Sequence, residues 1–265
     1  MPSVSSASVE TIDVQRNDGL VTITLNRPAK KNAANDVMWH ELLATFREIG
    51  HREDDRVVVV TGAGGEFCSG ADLSGRAEAP ERHQLTSMRI VGDTCLALHR
   101  LPQPVIAKVR GVAVGAGCNL ALGCDLVVAS SNARFSEIFA KRGLSLDFGG
   151  SWLLPRRVGL HRAKELAFFA DIIDAAEAER IGLVNRVVDD AELDAFVDGW
   201  VQRLLQAPPI ALAMSKRMLD NSMNVTMEEA IDDESVAQTV NFGTSDTTEA
   251  MMAFLQKRSP QFRGR

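Results

Sequence analysis

Several protein classes are excluded by what this sequence lacks. It has only four cysteines, Cys68, Cys95, Cys118 and Cys124. None forms a C-x-x-C pair, and no histidine stands beside them at zinc-ligand spacing. They are expected to be buried, reduced thiols of a cytosolic protein. No apolar run approaches the roughly 18–20 residues of a membrane span. The opening MPSVSSASVE has no apolar stretch and no arginine, so neither a secretory leader nor a transit peptide is expected, and the cytoplasm is the expected location. Basic residues are in the minority: 29 Lys and Arg against 35 Asp and Glu leave a net charge of −6. With no lysine-rich helix, that balance argues against a nucleic-acid partner.

What is present suits a globular chain. Of 265 residues 45% are hydrophobic and 24% charged, which fits one large domain, or one domain with a helical appendage. GLVTITL (19–25) alternates as a strand should. NDVMWHELLATFREIG (35–50) predicts a helix with Val37, Met38, Leu42, Phe46 and Ile49 on one face, capped by Asn35 or Asp36 and ended by Gly50. RVVVVTG (56–62) is apolar throughout and reads as a strand covered on both faces. A helix is predicted near 84–100, then strands at QPVIAKVRG and DLVVAS, a helix within VAVGAGCNLALGC, and a short strand at ARFSEIF. From about 160 the chain reads as mostly helical, with amphipathic helices over 209–258 and a polar loop near 240–247. Strands alternating with helices imply an α/β fold with covered parallel strands.

Two glycine loops follow strands: GAGGEFCSGAD and GVAVGAGCN. Neither completes G-x-G-x-x-G, because Phe67 and Leu120 occupy the third glycine positions, and neither carries the G-K-[ST] of a P-loop. Gly149-Gly150-Ser151-Trp152 misses a serine-hydrolase elbow at Leu153. Small residues do let backbone N–H groups approach a ligand, so two loops can aim two N–H groups at one oxygen. Close helix–strand packing is the plainer use of the same glycines.

Taken together, VTITLNRPAKKNA, GAGGEFCSGADL, PVIAKVRGVAVGAGCNLALGCDLVVAS and AERIGLVNRVV resemble, in this order and spacing, the crotonase superfamily (the enoyl-CoA hydratase/isomerase family) over nearly the whole chain. The resemblance implies a spiral of ββα turns with an acyl-CoA site over residues 1–205, and a C-terminal helical region, 206–265, that builds a homotrimer or a dimer of trimers. It implies an acyl-CoA thioester as substrate, with no metal or redox cofactor. It places the oxyanion-binding N–H groups at Ala71 and Ala116, and the coenzyme along Asp72, Leu73 and Ser74, with Lys30 and Lys31 near its phosphates. Phe254 and Lys257 match a tail that reaches a neighbour's coenzyme.

Two positions depart from the hydratases of the family, which carry a glutamate at each. Here they hold Asn119 and Phe139, and neither exchanges a proton; both positions are expected to line the substrate site, where the amide can hold a water or orient a group. Glu137, two residues from Phe139 and on the same strand face, is expected to be a solvated or salt-bridged strand residue; the alternative is that the alignment is shifted and Glu137 is the second glutamate. Phe139 and Trp152 are read as core packing, or as walls of an aromatic acyl pocket. Asp147, in GLSLDFGGSWLLPRRVG, matches the catalytic aspartate of the enoyl-CoA isomerase and ring-1,2-epoxyphenylacetyl-CoA isomerase branch. Leu146 and Phe148 are expected to desolvate it and so raise its pKa; the alternative is that Asp147 caps the helix beginning near Gly149. The resemblance therefore implies a double-bond shift with Asp147 as proton shuttle. Hydration of a 2-enoyl-CoA, aryl-CoA dehalogenation and non-catalytic acyl-CoA binding are the alternatives.

Overall fold

The computed structural model describes residues 11–74 and 83–265; the opening stretch 1–10, for which no leader is expected, lies outside the described residues. The chain opens on a hairpin of β1 (Ile12–Asn17) and β2 (Leu20–Leu25). Its turn is Asp18-Gly19, both at positive φ, a pairing that favours two-residue hairpins. The sequence reading found β2 but not β1. Next come α1 (Asp36–Gly50), β3 (Val57–Gly62), α2 (Gln84–His99) and β4 (Val105–Val109). They are followed by β5 (Val112–Val114), α3 (Ala116–Leu122), β6 (Leu126–Ser130) and β7 (Arg134–Ser136). After these come α4 (Gly150–Val158), α5 (Leu160–Phe169), β8 (Ile173–Asp174), α6 (Ala175–Arg180) and β9 (Arg186–Val188). Helices α7 (Leu193–Leu205), α8 (Pro209–Asn221), α9 (Met227–Phe242) and α10 (Ser245–Gln256) close the chain.

The larger sheet runs β1-β2-β3-β4-β6-β9, parallel from β2 onward. A smaller sheet, β5-β7-β8, forms another wall of the spiral. This is the α/β architecture that the alternation predicted. The unbroken valines of β3 are explained by its two covers. Val58 and Val60 face the main core, whereas Val57 and Val59 pack with Ile106 and Val128 under Leu193, Val197 and Val201 of α7. In α1, Asn35 caps the first turn by accepting from the Met38 N–H. Its buried face is Met38, Trp39, Leu42, Leu43, Phe46 and Ile49; Val37, expected inside, is exposed. The C-terminal helices are tied to the core by Lys216, which donates to Asp125 (2.7 Å) and to the Gln103 carbonyl (3.0 Å). The break between α9 and α10 is two residues, Gly243-Thr244, shorter than the expected loop. Among the described residues no helix is long and apolar enough to cross a membrane.

One buried amide shapes the loop after β2. Asn32 sits at φ 55° and is fully buried. Its Oδ1 accepts from the Arg27 N–H, and its Nδ2 donates to the Ala63 and Glu66 carbonyls beyond β3. Asn32→Ala leaves these groups unpaired, and Ala tolerates positive φ less well than Asn. It is expected to destabilise the fold by about 2–4 kcal/mol. Urea denaturation followed by tryptophan fluorescence checks this; an unchanged midpoint would remove the latch.

Candidate active site

Parallel strands β3 and β4 release two loops at the same edge of the sheet, and the loops touch through backbone. Cys68 bridges Ala113: the Cys68 N–H donates to the Val112 carbonyl and the Val114 N–H to the Cys68 carbonyl. A side chain at Gly117 would collide with the Cys68 carbonyl. At Gly70 (φ +100°) a Cβ would stand 2.8 Å from the Val114 carbonyl oxygen and 3.8 Å from the Ala116 nitrogen. These glycines serve close approach of main chain to main chain.

Ala71 and Ala116 sit at this contact. Ala71 forms a parallel bridge with Ala34, in which the Ala34 N–H donates to Gly70 and the Asp72 N–H to Ala34. The Ala71 N–H therefore points to the opposite side. Ala116 opens α3, and a first-turn N–H has no acceptor within its own helix. The Phe139 ring is buried and lies against Gly115, so Phe139 borders the second loop.

Asp72 is committed to the loop itself. It accepts from the Ser74 hydroxyl and N–H and pairs with Arg27 at 2.8 Å. The Ser74 bond, with the Arg27 guanidinium behind it, holds its carboxyl down at about 2. Leu73 and Ser74 are exposed beside it. The Lys30 and Lys31 carbonyls accept from the Ser69 hydroxyl and N–H, which fixes their turn against the first loop; the Lys31 ammonium pairs with Glu66 at 2.9 Å. Phe254 and Lys257 close α10 on the C-terminal helices, with Phe254 83% exposed. Trp152 stacks on Arg156 (3.8 Å to the ring centroid) and meets the His99 ring edge-on.

Asp147 does not cap α4. Gly149 holds that position, with no side-chain hydrogen bond to the helix. Instead, the Asp147 main chain is pinned to α3: its carbonyl accepts from Asn119 Nδ2 at 2.9 Å. A Cβ at Gly150 would fall on the Asn119 amide, and one at Gly149 would stand 2.8 Å from Cys95 Sγ. The double glycine is thus needed for close contact. Phe148, at φ 45°, turns its ring into the core against Trp39 (5.3 Å between centroids), and Asp147 is half-buried.

The expectation of a solvated or salt-bridged strand residue fails at Glu137. It lies just past β7, at the entry to a 3-10 turn, and is 2% exposed. Asn119 Nδ2 donates to its Oε2 at 3.3 Å. Burial, reinforced by the negative charge of Asp147, pushes its carboxyl up to about 7 despite hydrogen bonds from Cys118 and Asn119. The available signal was its place after Phe135 and Ser136, both buried. The cysteines Cys68, Cys118 and Cys124 are buried and Cys95 partly so, all as free thiols.

The sequence profile of the family described as Enoyl-CoA hydratase/isomerase matches residues 15–265. The chain is 38% identical over 259 residues to a protein of Rhodobacter capsulatus named probable enoyl-CoA hydratase, covering 97% of this chain and 100% of that one. It is 37% identical over 252 residues to the 1,2-epoxyphenylacetyl-CoA isomerase of Escherichia coli, covering 93% and 96%. A crystal structure of enoyl-CoA hydratase from Bacillus anthracis superposes with a TM-score of 0.93 at 32% identity, covering 97% of this chain and 100% of that one.

The raised carboxyl of Glu137 has a consequence for stability. In the folded protein it keeps its proton up to about 7, whereas its ordinary value is 4.5. Between these values the native state holds the extra proton, so stability falls as pH rises through that window. Glu137→Gln is expected to remove this loss. The melting temperature of the variant, relative to wild type, should therefore climb from about pH 5 to about pH 8. A flat difference would mean that Glu137 titrates normally.

Proposed function

This chain belongs to the enoyl-CoA hydratase/isomerase family, and from that premise we propose that it shifts a double bond within an acyl-CoA thioester, with Asp147 carrying the proton. The observation that carries the proposal is the anchoring of Asp147 to α3 through Asn119 and Gly150. The same short helix begins with the Ala116 N–H. One rigid unit thus holds both a carboxylate and a candidate oxyanion donor.

The proposed chemistry has two steps. The Ala71 and Ala116 N–H groups bind the thioester oxygen and acidify the carbons conjugated to it; each such donor is worth about 2.7–4 kcal/mol in the transition state. The Asp147 carboxylate then takes a proton from one carbon, leaving a dienolate whose charge rests on the thioester oxygen. The carboxylic acid so formed returns the proton to another carbon, and the carboxylate is regenerated. One carboxylate suffices when both carbons lie on its face. No metal or redox partner enters these steps, and coenzyme A enters as part of the substrate. A ring acyl-CoA derived from an aromatic is the more specialised substrate, a suggestion supported by the likeness to the isomerase of E. coli.

A second reading, hydration of a 2-enoyl-CoA, is favoured by one observation. Glu137 is a second carboxyl, itself buried, whose titration feels Asp147, and water addition by the two-carboxylate route uses a base and an acid.

Assembly is part of the same proposal. Met227, Ile231, Val236, Val240 and Phe242 of α9, with Met251, Phe254 and Leu255 of α10, are exposed apolar side chains, and residues 206–265 are proposed to bury them in a homotrimer or a dimer of trimers.

Turnover of a 3-enoyl-CoA beside a 2-enoyl-CoA tests the activity. Isomerisation is expected to dominate and to fall roughly 10²–10⁴-fold in Asp147→Asn. Hydration outpacing isomerisation would favour the second reading, and binding without turnover would favour a carrier. Sedimentation equilibrium of the full chain should return three or six copies; a monomer would overturn the assembly.

A further inference from the structure

Glu137 is a buried titratable group, linked through Asn119 to Asp147, for which the one-carboxylate mechanism has no task. We propose that it is a positioning residue for proton transfer: through the Asn119 amide it orients Asp147, and through its own charge it sets how strongly Asp147 holds a proton. The inference rests on Asp147 being the proton shuttle.

The geometry is a three-residue chain. A carbonyl only accepts, so the Asp147 carbonyl requires Asn119 to present its NH₂. That same nitrogen then faces Glu137 Oε2 at 3.3 Å. The amide is fully buried and blocked on one side by the Gly150 backbone, so it cannot swing away. Removing Glu137 leaves one side of the amide without its acceptor and loosens the hold on the Asp147 backbone.

The electrostatic link is independent of that bond. Glu137 is held among Cys118 and Asn119 from α3 and Asp147 from the loop before α4, while Cys95 of α2 faces Asp147. Lys141 and Arg142, on its own turn, are exposed, and Lys141 pairs with Asp171. Cys95 and Cys118 are both pushed above their ordinary range by burial, so they stay neutral thiols. Among the described residues, Asp147 is therefore the charged group whose field reaches Glu137. A proton on Glu137 leaves a weaker base at Asp147. Its loss makes Asp147 a stronger one, and favours moving negative charge from Asp147 to the thioester oxygen. Proton abstraction then quickens as Glu137 ionises.

Two measurements on the full-length protein test this. Infrared spectroscopy of the substrate-free enzyme across pH is expected to show one buried carboxylic acid losing its proton near 7. That band should be absent in Glu137→Gln, and its midpoint should lie lower in Asp147→Asn, because the negative charge that helps hold the proton on Glu137 is gone. In the second measurement, kcat/KM for a 3-enoyl-CoA should rise through the same midpoint in wild type. In Glu137→Gln the rise should vanish, with kcat held near the low-pH level and KM little altered. A Glu137 midpoint indifferent to Asp147→Asn, or a pH profile that Glu137→Gln leaves in place or reverses, would overturn the proposal. If Asp147→Asn keeps full isomerisation, the shuttle assignment fails instead, and the infrared midpoint still decides whether the two carboxyls are coupled.

Discussion

The site depends on main chain touching main chain. Cys68 and Ala113 bridge where two successive turns of the spiral meet, and the contact closes only because Gly70 and Gly117 carry no side chain. The rest of the architecture serves that approach. Adjacent parallel strands bring both loops to one edge, and covers on both faces of β3 hold that edge rigid. Asn32 fastens the preceding turn from inside, and Arg27 with Asp72 clasps the first loop from the far side. Backbone donors need such support, since an N–H can be aimed only by aiming the chain that carries it.

The carboxylates meet a different constraint. Burying an acid costs free energy unless it is paired or neutral. Asp147 is half-buried, whereas Glu137 is sealed in and retains its proton to near neutrality. Two carboxyls of unlike exposure are therefore linked through one amide, and the charge of Asp147 adds to the burial that keeps Glu137 protonated. Asn119 stands between them and belongs to both, although it exchanges no proton itself.

Much of this was legible in the sequence. Periodicity and buried β-branched runs marked α1, β2, β3, β4 and β6, and the glycine loops marked where backbone comes close. Asp147 stood out as a carboxylate in an apolar run. Glu137 did not, because its burial arises from α3 folding over it, a tertiary event without local pattern. The role of Asn119 depends on a contact 28 residues away with Asp147. The β1 strand was hidden for a simpler reason. Its side chains from Asp13 to Asn17 are largely outside the core, so alternation is weak, and only Asp18-Gly19 announced the hairpin. Helix α1 shows the limit of periodicity from the other side: Val37 is apolar yet lies on the solvent edge of its stripe.

The two donors proposed for the thioester oxygen are peptide groups, and this bears on how such a scaffold can change. A side-chain donor is lost by one substitution; a peptide N–H survives every substitution that leaves the chain's path intact. The proposed proton carrier, Asp147, enjoys no such protection, for it is a single side chain. In the proposed chemistry, polarisation of the thioester is thus the durable half, and the fate of the polarised intermediate is the half open to revision. A carboxylate moved from one turn of the spiral to another redirects the proton while the machinery beneath it goes on working.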